Sequence, residues 1–124
     1  MTVTRVVFAD PSEEERGRIR AFLESRFGEE ITVVYPGDDF VDVHKKGIDK
    51  ASALSFLAER RGIRPEEIMA FGNTENDVPI LRYAGVSYAV ANADGVAKEA
   101  AGHICASNEE DGVAKVIEEL VASD

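Results

Sequence analysis

Ile68-Met69-Ala70-Phe71-Gly72-Asn73-Thr74-Glu75-Asn76-Asp77-Val78-Pro79-Ile80-Leu81 is the stretch on which the fold turns. Its first four residues form an unbroken apolar run, short enough for a strand and apolar on both faces, as a parallel strand covered on both sides should be. Gly72 ends that strand. Thr74 is placed to cap the helix that follows, with Glu75 and Asp77 in its first turn, where carboxylates meet free N–H groups and the positive end of the dipole. Polar groups thus gather at the carboxyl end of a buried strand, the usual place for ligands in open α/β sheets. Two readings of these residues stand together. Acidic and amide residues at a helix start commonly serve as caps. Asp77, however, shares a helix face with Ile80, Leu81 and Ala84, so its carboxylate points at the sheet and needs hydrogen bonds or a cation there.

On the upstream side, Lys45-Lys46-Gly47-Ile48-Asp49-Lys50 marks a change of pattern. Beyond it, helix and strand strictly alternate. Asp49 caps a helix with Leu54, Leu57 and Ala58 as its apolar stripe, closed by Gly62 before Pro65. Lys50 falls in the first turn, where a cation opposes the dipole by roughly 0.3–1 kcal/mol. An anionic partner would explain that placement, and a side chain turned to solvent would equally well. Downstream, Val86 to Val90 reads as a strand, Ala91 to Gly95 as a turn of small residues, Val96 to Ala101 as a short helix and His103 to Ala106 as a last strand. Ser107 and Asn108 precede a final helix striped by Val113, Val116, Ile117, Leu120 and Val121. The order from Lys50 onward is α-β-α-β-α-β-α, which requires parallel pairing with helices on the sheet faces.

The segment before Lys45 differs. Thr2 to Ala9 reads as a strand, and Asp10-Pro11-Ser12 opens a helix with three glutamates in its first turns and Ile19, Phe22, Leu23 and Phe27 at helical spacing, ended by Gly28. Ile31 to Tyr35 and Phe40 to His44 flank the turn Pro36-Gly37-Asp38-Asp39 and make a hairpin. Phe40, Asp42 and His44 share one face of it, with Val41 and Val43 on the other. This is a β-α-β-β unit.

The 124 residues, 44% of them hydrophobic, suffice for one modest core. A formal net charge of −10 argues against nucleic acid or an anionic membrane as partner. No apolar run approaches the ~20 residues of a membrane span, and no secretory pattern opens the sequence, so a cytoplasmic protein is expected. Cys105 is the sole cysteine, and with His44 and His103 it offers no zinc spacing.

These residues resemble the Cof-type phosphatases of the haloacid dehalogenase superfamily. Lys46-Gly47-Ile48-Asp49-Lys50-Ala51-Ser52-Ala53-Leu54 is similar to the family's lysine segment, and Gly72 to Leu81 is similar to its Gly-Asp-x-x-Asn-Asp-x-x-Met-Leu motif. Ala89-Val90-Ala91-Asn92-Ala93 and Ser107-Asn108-Glu109-Glu110-Asp111-Gly112-Val113 resemble its later turns. The resemblance is to the family's C-terminal portion. It implies that residues 1–46 are the end of an α+β cap and residues 47–124 the second half of a Rossmann-like core, a partial parallel sheet with helices on both faces. It further implies phosphate binding by Lys50, Asn76 and Asn92, orientation of the lysine or of a metal shell by Asp77, and Mg²⁺ bound through Asn73 and Asp77. The substrate class would be small phosphorylated metabolites.

Two departures weaken the chemistry. Asn73 stands where the family has an aspartate, which removes one charge from a site built for hard anionic ligands, so Mg²⁺ affinity should be low. The sequence also contains no Asp-x-Asp, the family's nucleophile segment, and no identifiable Ser/Thr motif for phosphate, so covalent aspartyl-phosphate chemistry is not available from these residues alone. Two outcomes are therefore expected to compete: part of a Mg²⁺-dependent phosphatase that is inactive as an isolated chain, or a non-catalytic module acting by assembly or weak ligand binding. Without a strand to carry the nucleophile, Ile68 to Phe71 would present an open edge, so a homo-oligomer or pairing with a missing N-terminal half is expected.

Overall fold

A computed structural model describes residues 3–123. They form two sheets. β1 (Arg5–Ala9), α1 (Glu13–Phe27), β2 (Ile31–Val34) and β3 (Phe40–Lys45) build an antiparallel sheet in the order β1-β3-β2. α2 (Lys50–Arg61), β4 (Met69–Gly72), α3 (Val78–Tyr83), β5 (Val86–Val90), α4 (Gly95–Ala100), β6 (His103–Cys105) and α5 (Gly112–Ala122) build a parallel one in the order β4-β5-β6. The expected β-α-β-β unit and the alternating α/β unit are both present; the first strand starts at Arg5, with Val3 and Thr4 outside it, and the other strand ends differ from expectation by at most a residue. Thr2, expected at the start of the first strand, lies outside the described residues.

Local chemistry explains the elements. Ser12 accepts from the Glu15 amide while the Glu15 carboxylate accepts from the Ser12 amide, a reciprocal cap that starts α1. Asp49 and Ser52 do the same for α2, with the Ser52 amide 2.8 Å from Asp49 Oδ1. Gly62 ends α2 at φ +67, a left-handed conformation in which it pays no Cβ penalty.

Each sheet has a small core. Val33, Val41 and Val43 pack under Ile19, Leu23 and Tyr35 in the first, and Leu81, Ala89, Val90, Ala93 and Ala97 cluster in the second. α3 packs on β4 and β5, α4 on β5, and α5 on β6. Phe71, Tyr88 and His103, paired in register across the three parallel strands, stack along the face of the sheet opposite Ala70 and Ser87. Some expected core positions are instead open. Phe22 is 60% and Phe27 39% exposed because α1 covers only part of a three-stranded sheet, and Leu57 on α2 is half exposed. The stripe on α5 meets the sheet through Val113 but leaves Ile117, Leu120 and Val121 at 46%, 49% and 68% exposure.

No helix among the described residues is long and apolar enough to cross a membrane.

Candidate functional site

The turn after β4 is organised by Asp77. A short 3-10 turn, Glu75–Asp77, leads directly into α3. Asp77 is 5% exposed, and its Oδ2 accepts from the amides of Asn73 at 2.9 Å and Thr74 at 3.3 Å. Its Oδ1 accepts from Lys50 Nζ at 2.5 Å. Gly72 makes this approach possible: a Cβ there would lie 2.6 Å from Asp77 Cβ and 3.0 Å from Leu81 Cδ1. Thr74 takes the expected N-cap position, with its amide donating to Asp77 Oδ2, while its hydroxyl donates to Asn76 Oδ1 at 2.5 Å.

Of the two readings of Lys50, the paired one holds. Its side chain is half exposed, so one end of the ammonium is fixed by Asp77 while the remaining donors face outward. Asn76, with its carbonyl oxygen occupied by Thr74, keeps its NH₂ group for another acceptor. Lys50 and Asn76 line a cleft of about 330 Å³ whose opposite wall is the open face of the first sheet, including Arg5, Asp42 and His44. Lys50 and Asn76 thus bring a cation and an amide donor to one end of this cleft, whose lining also includes the carboxylates of Asp42, Asp49 and Glu75.

Asn92 is exposed at the end of β5, and its side chain is committed to a neighbouring turn. Its amide donates to Asn108 Oδ1, and its carbonyl accepts from the Asn108 amide at 3.2 Å. It does not line the cleft that holds Lys50 and Asn76. Asn73 is exposed. Both Asp77 oxygens are engaged by Lys50 and the turn, and no group of three or more His, Cys, Asp or Glu is gathered for a metal among the described residues. The residues present therefore do not fit a Mg²⁺ site by themselves.

Sequence reasoning missed the contact that joins the two sheets. Glu75 Oε1 accepts from Arg20 Nη2 at 2.8 Å, and Glu75 Oε2 accepts from the Tyr35 amide at 3.0 Å. Arg20 also donates to Val33 O at 3.0 Å and lies over the Tyr35 ring, 4.5 Å from its centroid. Burial pulls the Arg20 pKa down, but hydrogen bonds from its guanidinium to Glu75 and Glu24 outweigh this and raise it. The partners are 55 residues apart, and no local pattern marks them.

A family profile described as haloacid dehalogenase-like hydrolase matches residues 1–117. The 5-amino-6-(5-phospho-D-ribitylamino)uracil phosphatase of Bacillus subtilis is 35% identical over 109 residues, covering 88% of this chain and 44% of that protein. A phosphoglycolate phosphatase of Halorubrum lacusprofundi is 42% identical over 93 residues, covering 75% of this chain and 40% of that one. The crystal structure of a haloacid dehalogenase-like hydrolase from Bacteroides thetaiotaomicron superposes with a TM-score of 0.78 at 32% identity, over 97% of this chain and 45% of that chain. The chain thus spans less than half the length of these relatives.

Proposed function

This chain belongs to the haloacid dehalogenase-like hydrolases, and from that membership we propose that it supplies the phosphate-holding part of a cytoplasmic phosphatase acting on small phosphate esters. Residues 1–46 act as the end of a cap and residues 47–124 as the second half of the core. The observation that carries this reading is the 2.5 Å pair between Lys50 Nζ and Asp77 Oδ1, set at the carboxyl end of a parallel strand beside Asn76 and a cleft of matching size. Phosphoryl transfer rests on positioning and charge neutralisation, so a fixed cation with donors to spare is the part this chain contributes. Asp77 keeps the ammonium in place. Asn76 donates its NH₂ to a second phosphoryl oxygen.

Turnover by these residues alone is expected to be negligible, because the sequence holds no Asp-x-Asp nucleophile segment. Calorimetry with inorganic phosphate tests the binding role. Saturable binding that Lys50→Ala weakens at least tenfold supports it, and binding indifferent to that substitution refutes it. Para-nitrophenyl phosphate with added Mg²⁺ tests the second point, for which clear turnover abolished by Lys50→Ala would point to a different nucleophile.

A second reading, assembly of copies, is favoured by the sheet edge. Among the described strands β4 pairs only with β5, leaving its outer edge open, and apolar side chains of α5 stand exposed. Light scattering of the 124-residue chain is expected to give a mass above that of a monomer. A strictly monomeric species at high concentration contradicts it.

A further inference from the structure

β1 is an outer strand, and no other strand among the described residues pairs with its free edge. Val6, Val7 and Phe8 are 45%, 46% and 37% exposed. The features that usually guard such an edge are missing from it. Neither proline nor bulge interrupts Arg5–Ala9, whose 5 residues pair with β3 in unbroken register, and its one charge, Arg5, is drawn back onto Asp42 of its own sheet. The helix does not shield it either. α1 packs over β2 and β3, leaving a groove of about 830 Å³ beside β1 whose lining includes Phe8, Ala9, Ala21 and Phe22, with Phe22 60% exposed. Around the strand and groove the charges cancel, Arg5 and Arg18 against Asp10 and Glu15, in a chain whose net charge is −10. Two copies can meet on this surface without the repulsion that the rest of the chain would impose.

We propose that β1 is a homodimer interface: two copies pair their β1 strands antiparallel about a twofold axis at Val7, joining their antiparallel sheets into one. The proposal rests on the assembly reading given above and names its surface. Backbone phase fixes the register. The Asp10 amide donates to Asp39 O at 2.7 Å, so in the ladder with β3 Val6 and Phe8 turn their N–H and C=O groups inward, while Arg5, Val7 and Ala9 turn theirs outward. A twofold at Val7 sets Val7 against its own copy and Arg5 against Ala9, so every outward residue exchanges both its bonds with another outward residue. Sliding the register by two residues puts Ala9 opposite Val3, beyond the strand, or Arg5 opposite Pro11, which has no N–H to give. Side chains agree with that register. On the helix side the partner's Phe8 comes beside Val6 at the groove, and no like charges come opposite, since Arg5 meets Ala9 and Thr4 meets Asp10. β4 also has an open edge, but none of its 4 residues is exposed, so pairing there buries less apolar surface.

The test combines sedimentation equilibrium of the 124-residue chain with amide hydrogen exchange read by NMR at rising concentration. A dimer of 13.5 kDa chains is expected, with the amides of Arg5, Val7 and Ala9 exchanging about tenfold more slowly at high concentration than at low while those of β4 do not change. Val7→Pro removes an outward N–H and costs β1 no bond to β3, so it should raise the dissociation constant about tenfold or more. Phe22→Glu, at an exposed position of α1, should act in the same direction and serves if the proline variant does not fold. A dimer whose dissociation constant survives both substitutions, or whose protection falls on β4 instead, would overturn the role of β1 while leaving the assembly reading intact. A chain that stays monomeric at every concentration would overturn both, and would leave the edge to a partner other than a second copy.

Discussion

The two sheets each bury one aspartate to the same 5% exposure, and they treat it in opposite ways. At the rim of the parallel sheet, Asp77 has both oxygens engaged, by a lysine and two backbone amides. On the open face of the antiparallel sheet, Asp42 has one oxygen held by Arg5 and the other without a donor. Burial demands compensation in both places, but only the rim supplies all of it from within the chain. The rim is therefore satisfied within the chain, whereas the open face is not.

The largest consequence concerns the completed site. Asp77→Ala removes three hydrogen bonds to a charged acceptor and strands two turn amides, a loss of roughly 3 kcal/mol at on the order of 1 kcal/mol per bond. The urea midpoint measures it, and a change close to zero would mean that the turn is held by something else. Next comes Gly72→Ala, whose added carbon would press on Asp77 Cβ at 2.6 Å. Overpacking of this kind costs about 1–3 kcal/mol, and because it displaces the partner of Lys50 it should also weaken phosphate binding. Glu75→Ala, which cuts the bond between the sheets, should cost about 1 kcal/mol, since both partners are partly exposed. Its sharper readout is faster hydrogen exchange at the Tyr35 amide, which loses its acceptor.

The smallest effect is in pH. The carboxyls of Glu15, Glu67 and Glu110 are lowered, Glu15 by the Ser12 amide and then its hydroxyl, Glu67 by the Arg64 amide and then its side chain, Glu110 by the Ser107 hydroxyl and then its amide. A depressed carboxyl stabilises the folded state above its unfolded value and loses that contribution as pH falls through the folded one. These exposed caps should therefore give a shallow loss of stability on the acid side, and Glu15→Gln should flatten its share of it.

Much of this was readable from local pattern. The order of elements, the caps Ser12 and Asp49, the left-handed Gly62 and the inward carboxylate of Asp77 all follow from spacing and residue chemistry within a few positions. The interactions that join the sheets do not. In sequence Glu75 reads only as a carboxylate in the first turn of a helix and Arg20 carries no mark, and only the docking of α1 and β2 on the turn after β4 brings them together. Asp42 was placed on the correct strand face beside Phe40 and His44, yet its isolation depends on Val7 and Val34 from two other strands. Phe22 and, on α5, Ile117, Leu120 and Val121 have the periodicity of core residues but are exposed, because periodicity shows which side of a helix is apolar without showing what covers it.

The most direct measurement is an amide-resolved NMR titration of the chain with inorganic phosphate, run in parallel on Lys50→Ala. Saturable shifts at Lys50, Thr74 and Asn76, lost in the variant, are expected if these groups share one anion site. Shifts confined to other regions, or unchanged when the ammonium is removed, would contradict it.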